Sequence, residues 1–234
     1  MLKFENKLRD AILSYETELK VHLDEYFKMI LQKKGIGFKE NLQELYCYNH
    51  KSKNYEKIQS NDEIFQKFDN EWRNHITKFS HIGSDWNDYF YLLIKILTFG
   101  TINNILDLAV KQENGKYRKL YELFHIHLKK NSKFKIGNKL SELKTIGILR
   151  NSLCHKESLV IFLEKGFRET NKKSATKDVL KERIESINNI YKYYREISGN
   201  KKKELDKDCW IIKYADYRLR NGNRIDFKRL KINL

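Results

Sequence analysis

The stretch KLRDAILSYETELKVHLDEYFKMILQKK, residues 7–34, sets the class of fold. Leu8, Ile12, Tyr15, Leu19, Leu23, Tyr26 and Ile30 recur at steps of three and four, one apolar stripe on a helix of 3.6 residues per turn. Gly35-Ile36-Gly37 closes it. The same period continues outward. Phe65, Phe68, Trp72, Ile76 and Phe79 mark a second helix, and Ser84 with Asp85 reads as the N-cap and first-turn acid of a third, running to Leu97. Gly100 interrupts it, and Thr101 caps a fourth helix to about Lys111. A fifth is expected over 116–129, a sixth over 138–154, and a seventh carries Val179, Leu180, Ile184, Ile187, Tyr191 and Tyr194 and is closed by Gly199. Residues 41–61 are polar and aromatic without a clear period and read as a loop with room for a short helix. The short apolar run 159–163 fits a helix or a strand. There is no proline, where average usage predicts about a dozen; long helices joined by short polar turns suit that absence.

The expected fold is therefore mainly α, a helical bundle over 1–198 followed by a distinct tail, 199–234. In the tail eleven Lys and Arg oppose five Asp and Glu, net +6 in 36 residues. Asn221-Gly222 is a type I′ hairpin signal, with Tyr217 and Leu219 before it and Ile225 and Phe227 after it in strand alternation. Trp210, Tyr214 and Tyr217 interleave with Lys213, Arg218 and Arg220, a pattern that suits base stacking and phosphate contact as well as a packed hairpin with a solvated basic face.

Over the whole chain 47 Lys and Arg face 31 Asp and Glu, net +16. A field of that sign favours polyanions, nucleic acid before membrane because the excess is spread along the chain; the alternative is a solvated basic surface. No run of apolar residues is long enough to span a bilayer, and MLKFENKLRD lacks the apolar core of a secretory signal. Three widely spaced cysteines exclude a disulfide scaffold and fit a cytoplasmic protein.

One motif can carry chemistry. Ile146-Gly-Ile-Leu-Arg150-Asn151-Ser-Leu-Cys-His155 ends the sixth helix. On a helical wheel Leu143, Ile146 and Leu153 cluster on one side, Arg150 sits at the edge of that stripe, and Asn151 and His155 are i, i+4 neighbours on the far side. RNA transesterification needs a 2′-hydroxyl deprotonated, a 5′-oxygen protonated and charge on phosphorus stabilised. Histidine as a residue type moves protons at neutral pH, and arginine offers a planar fork for phosphate oxygens. With eleven Arg and seven His in 234 residues, about 0.03 accidental Arg-Asn-x3-His arrangements are expected, so the motif carries weight. The competing reading is a solvated Arg and a C-terminal His favoured by the helix dipole. Cys154 beside His155 is not a nucleophile–base pair, because neighbours on a helix point apart. His125-x-His127 and Cys47-x2-His50 lack the second pair a metal site needs. Gly35-x-Gly37 lacks the preceding strand and third glycine of a nucleotide fingerprint.

Arg-Asn-x3-His at a helix end resembles the signature of HEPN-domain ribonucleases. With Tyr15-Glu16, Trp86-Asn87 and Leu97-Thr98-Phe99-Gly100-Thr101 ahead of it, residues 2–163 resemble the Abi-like (AbiD/AbiF) abortive-infection family, itself similar to the nuclease domains of RNA-targeting type VI CRISPR effectors. The resemblance implies a HEPN helical bundle, antiviral defence or toxin–antitoxin biology, RNA as substrate or partner, and a small structured RNA as a controlling partner. It also implies a homodimer, in which two copies of the single motif face each other across an isologous interface. Arg150, Asn151 and His155 would then form the catalytic set, with Glu16 as a support for Arg150, and no metal or cofactor. Lys156 and the tail residues Lys201, Lys202, Lys203, Lys213, Arg218, Arg220, Arg224, Lys228 and Arg229 are the expected RNA-binding cations. Cys154 and Lys156 depart from the small residue and paired His usual around the motif. The alternative is a non-cleaving HEPN-like protein that binds a structured non-coding RNA as a ribonucleoprotein.

Overall fold

The apolar stripe of residues 7–34 becomes the buried face of a 33-residue helix, α1 (Leu2–Lys34). Leu8, Ala11, Ile12, Tyr15, Leu19, Leu23, Tyr26 and Phe27 are buried along it, and Ile30 is half-buried. The structure, a computed structural model, describes residues 2–34, 37–59, 62–76, 85–87, 89–155, 157, 159–170 and 179–197. The fold is mainly α with a small four-stranded antiparallel sheet. Expectations placed on Gly35, Ile36, Phe79, Ser84, Gly199 and the tail hairpin lie outside the described residues. The chain divides into two compact units, one of residues 16–140 and one that joins the first 15 residues to the chain from Ser141 onward; α1 contributes to both.

In the 16–140 unit, the rest of α1 is followed by α2 (Phe38–Gln43), β1 (Tyr46–Asn49), β2 (Asn54–Lys57), α3 (Glu63–Ile76), α4 (Phe90–Ile96), α5 (Phe99–Asp107), β3 (Ala109–Lys111), β4 (Tyr117–Lys119) and α6 (Leu120–Asn131). Its core is aromatic. Phe38 lies 4.3 Å from Phe90 between ring centres, and Phe68 lies 5.3 Å from Trp86. Trp86 is buried and keeps its one polar atom satisfied by donating from Nε1 to Asp69 Oδ1 at 2.7 Å. Asn87 Oδ1 accepts from the backbone N–H of Lys39 at 2.9 Å, satisfying one of the otherwise orphaned donors in the first turn of α2.

The third and fourth helices differ from expectation. Asp85 precedes a tight turn rather than opening a helix: its Oδ1 accepts from Asn87 N at 2.9 Å, and α4 begins only at Phe90. Thr98, not Thr101, caps α5; Thr98 Oγ1 accepts from Thr101 N at 3.2 Å, so Gly100 sits inside the first turn. Glu71 of α3 decides between the two threonines. Its carboxylate accepts from Thr98 N at 2.7 Å, from Thr98 Oγ1 at 3.0 Å and from Thr101 Oγ1. The helix stops at Asp107 because Leu108 turns extended (ψ 158°), and residues 109–111 join the sheet.

The sheet runs β2-β1-β3-β4, every pairing antiparallel. It replaces the loop expected over 41–61 and the helical start expected at Lys116. In the β3–β4 hairpin Gly115 has φ +77°, a left-handed conformation that glycine adopts without steric cost.

Tyr26 packs against Phe124 and His127 at 5.4 and 5.1 Å between ring centres, and burial pushes its phenol up to about 12. A folded-state value above the unfolded one gives stability that is full below pH 10 and lost as pH rises toward 12. Tyr26→Phe is expected to flatten this alkaline limb, worth about 2–3 kcal/mol, relative to the natural protein in melts taken from pH 8 to 12. Identical alkaline limbs would refute the assignment.

The other unit holds the N-terminal turns of α1, α7 (Leu140–Cys154) beyond its first residue, α8 (Leu159–Thr170) and α9 (Val179–Ile197). The apolar run 159–163 is helical, and Leu159, Phe162 and Leu163 are buried at helical spacing. The first turn of α8 is held from a distance: Glu5 of α1 is buried, and its Oε1 accepts from Leu159 N at 2.8 Å. On α9 Leu180, Ile184, Ile187 and Ile190 are buried, and Tyr15 of α1 meets Tyr193 edge-on at 5.3 Å.

Candidate functional site

Helix α7 buries Leu143, Ile146, Leu149 and Leu153. That face rotates Arg150 to the boundary, where it is half-buried, and leaves Asn151 and His155 exposed. The backbone places the last two on one edge of the helix end, since His155 N donates to Asn151 O at 2.9 Å. Arg150 Nη1 donates to Asn151 Oδ1 at 3.3 Å, which ties the guanidinium to the exposed pair. An imidazole, an amide and a guanidinium thus occupy the C-terminal turn of one helix.

The turn that follows is held by groups the motif does not include. Glu157 N donates to Ser152 O at 2.8 Å, and Lys165 of α8 donates to both Glu157 oxygens at 2.8 and 3.0 Å. The Lys165 hydrogen bond, that from Ser152 and the neighbouring His155 imidazole hold the Glu157 carboxyl below the usual carboxylate range. Glu157 is therefore an anion at neutral pH, two residues from His155, with its charge shared by Lys165. Glu5, Glu157 and Lys165 had no signal in the sequence beyond their charge.

Glu16 is buried and pairs with Lys20 one turn on, at 3.0 Å. Lys156 and the tail cations Lys201, Lys202, Lys203, Lys213, Arg218, Arg220, Arg224, Lys228 and Arg229 lie outside the described residues. The other blocks that carry the family resemblance have structural work in the 16–140 unit: Trp86 in the core, Asn87 at the start of α2, Thr98 and Thr101 at the start of α5. Cys47 is a free thiol whose pKa burial raises, and burial followed by the Lys129 charge lowers that of His125. Among the described residues no group of three or more His, Cys, Asp or Glu is placed to hold a metal, and no helix is long and apolar enough to cross a membrane.

No family model, curated protein or solved structure matches this chain.

Proposed function

We propose that this chain is a HEPN-type endoribonuclease of abortive-infection or toxin character, acting on RNA as a homodimer. The observation that carries the reading is the end of α7: Asn151 and His155 exposed one turn apart, with Arg150 bonded to Asn151 beside them. Exposed polar groups at that spacing contribute little to folding, whereas they suit a phosphate and its neighbouring hydroxyls. The net charge of +16 supports the same substrate class.

In this reading the His155 imidazole of one copy takes the proton of a 2′-hydroxyl. The 2′-oxygen attacks phosphorus, and the P–O5′ bond breaks to leave a 2′,3′-cyclic phosphate. The imidazolium of the second copy returns a proton to the departing 5′-oxygen. Arg150 offers its fork to the non-bridging oxygens while Asn151 Oδ1 holds the guanidinium in place. A cognate structured RNA on the basic surface is the restraint proposed for this activity. Incubation with end-labelled RNA in the presence of a chelator is expected to give fragments ending in cyclic phosphate. Intact RNA, bound tightly and released by salt, would overturn cleavage and leave an RNA-binding protein.

A further inference from the structure

We infer that one face of the four-stranded sheet is a stacking platform for single-stranded nucleic acid. Residues directly opposite each other in a sheet share a face, and alternate residues along a strand return to it. The register pairs Tyr46 with Lys57, Tyr48 with Tyr55, Tyr46 with Ala109, Ala109 with Lys119 and Lys111 with Tyr117. All four tyrosines of the sheet therefore fall on one face, and the only charged residues among them are Lys57, Lys111 and Lys119. The sheet's one carboxylate, Glu56, pairs with Cys47 on the opposite face.

The rings form a continuous row. Tyr48 meets His50 at 5.1 Å and Tyr55 at 5.3 Å; Tyr55 stacks on Tyr117 at 4.4 Å and 14° between planes; Tyr117 meets Tyr46 at 5.1 Å. Tyr55 and Tyr117 belong to the two outer strands, which in a flat sheet would lie about 14 Å apart. This face therefore gathers rings from both edges of the sheet.

This row is not a core. Tyr48 is 43% exposed, Tyr46, Tyr55 and Tyr117 are only half-buried, and Ala109 alone on that face is buried. One exposed and three half-buried rings interleaved with lysines fit a ligand that offers flat apolar surfaces on an anionic thread, which is a single strand with its bases unstacked. Lys111 and Lys57 are exposed, and Lys51 and Lys53 extend the positive field into the β1–β2 loop, while Glu113 balances Lys116 in the β3–β4 loop. The acids at the border, Glu44 toward Lys57 at 3.5 Å and Asp107 toward Lys119, each neutralise one cation and leave the rest. The proposal does not rest on cleavage at His155.

The test is fluorescence anisotropy of the full chain with labelled oligodeoxythymidine, which lacks a 2′-hydroxyl and so survives the chemistry proposed above, over a range of salt. Tyr48→Ala and Tyr55→Ala are each expected to weaken binding about tenfold. Tyr48→Phe keeps the ring and is expected to stay within about twofold. Lys111→Ala is expected to lower the slope of log affinity against log salt by about 0.7. Tyr48 is exposed, so its alanine variant keeps its fold, checked by circular dichroism. Natural affinity in both alanine variants would overturn the proposal, as would alanine variants that break an oligomer while leaving binding intact.

Discussion

Replacing His155 with alanine is expected to reduce RNA cleavage by about 10²–10⁴-fold, the range of a lost general acid or base. In the proposed dimer the substitution removes both proton-transfer groups at once, so the upper end of that range is expected. Stability is expected to stay within about 0.5 kcal/mol, because the imidazole is exposed and closes no cavity. Mixing tests the composite site directly. An equal mixture of natural and His155→Ala chains, allowed to exchange, contains about one quarter fully natural dimers. Activity near a quarter of the unmixed enzyme means both copies build one site; activity near a half means each copy works alone. Arg150→Lys is expected to fall almost as far as Arg150→Ala, since a point charge cannot replace the two-pronged contact or the bond to Asn151. Undiminished cleavage by His155→Ala would sink the proposed function.

What the sequence made legible follows from the range of the interactions. The α1 stripe, the aromatic period of α3 and the apolar faces of α7 and α9 are each written within one turn of themselves, so Leu8–Ile12–Leu19 or Leu143–Ile146–Leu153 can be read without the fold. The placement of Arg150, Asn151 and His155 was legible for the same reason: the buried leucines fix the rotation of the helix, and the rotation fixes what faces out. The sheet was not legible. Its strands are three or four residues long and neither face is fully buried, so no apolar alternation marks them. The choice of Thr98 over Thr101 as the cap depends on Glu71, 27 residues earlier, and the first turn of α8 depends on Glu5, 154 residues away. Local spacing carries no trace of partners that distant.

The largest stability effect is expected where α8 meets α9. Arg183 is buried, with 5% of its side chain exposed, and lies across α8. Its Nη1 donates to Phe162 O at 2.6 Å, its guanidinium sits 4.7 Å from the Phe162 ring centre, and its Nη2 reaches Glu169 at 3.0 and 3.2 Å. Glu169 is 43% exposed, so the ion pair is screened and the packed stem and the ring contact carry most of the effect. Arg183→Ala is expected to cost about 2–4 kcal/mol. Gly166 is what admits the side chain: a Cβ there would lie 2.5 Å from Arg183 Cδ and 3.0 Å from Nε. Those atoms are mid-chain and pinned at both ends, so Gly166→Ala alone is expected to cost about 1–3 kcal/mol. The double variant separates this account from a generic loss of packing. Once Arg183 is alanine, the nearest remaining atom is Leu180 Cα at 3.4 Å, an ordinary contact. Alanine at 166 then gains up to about 1 kcal/mol of helix propensity and costs nothing in sterics. Urea unfolding of the four proteins in the cycle should show a coupling of about 2 kcal/mol. Additive effects would mean that the glycine is there for some reason other than the arginine.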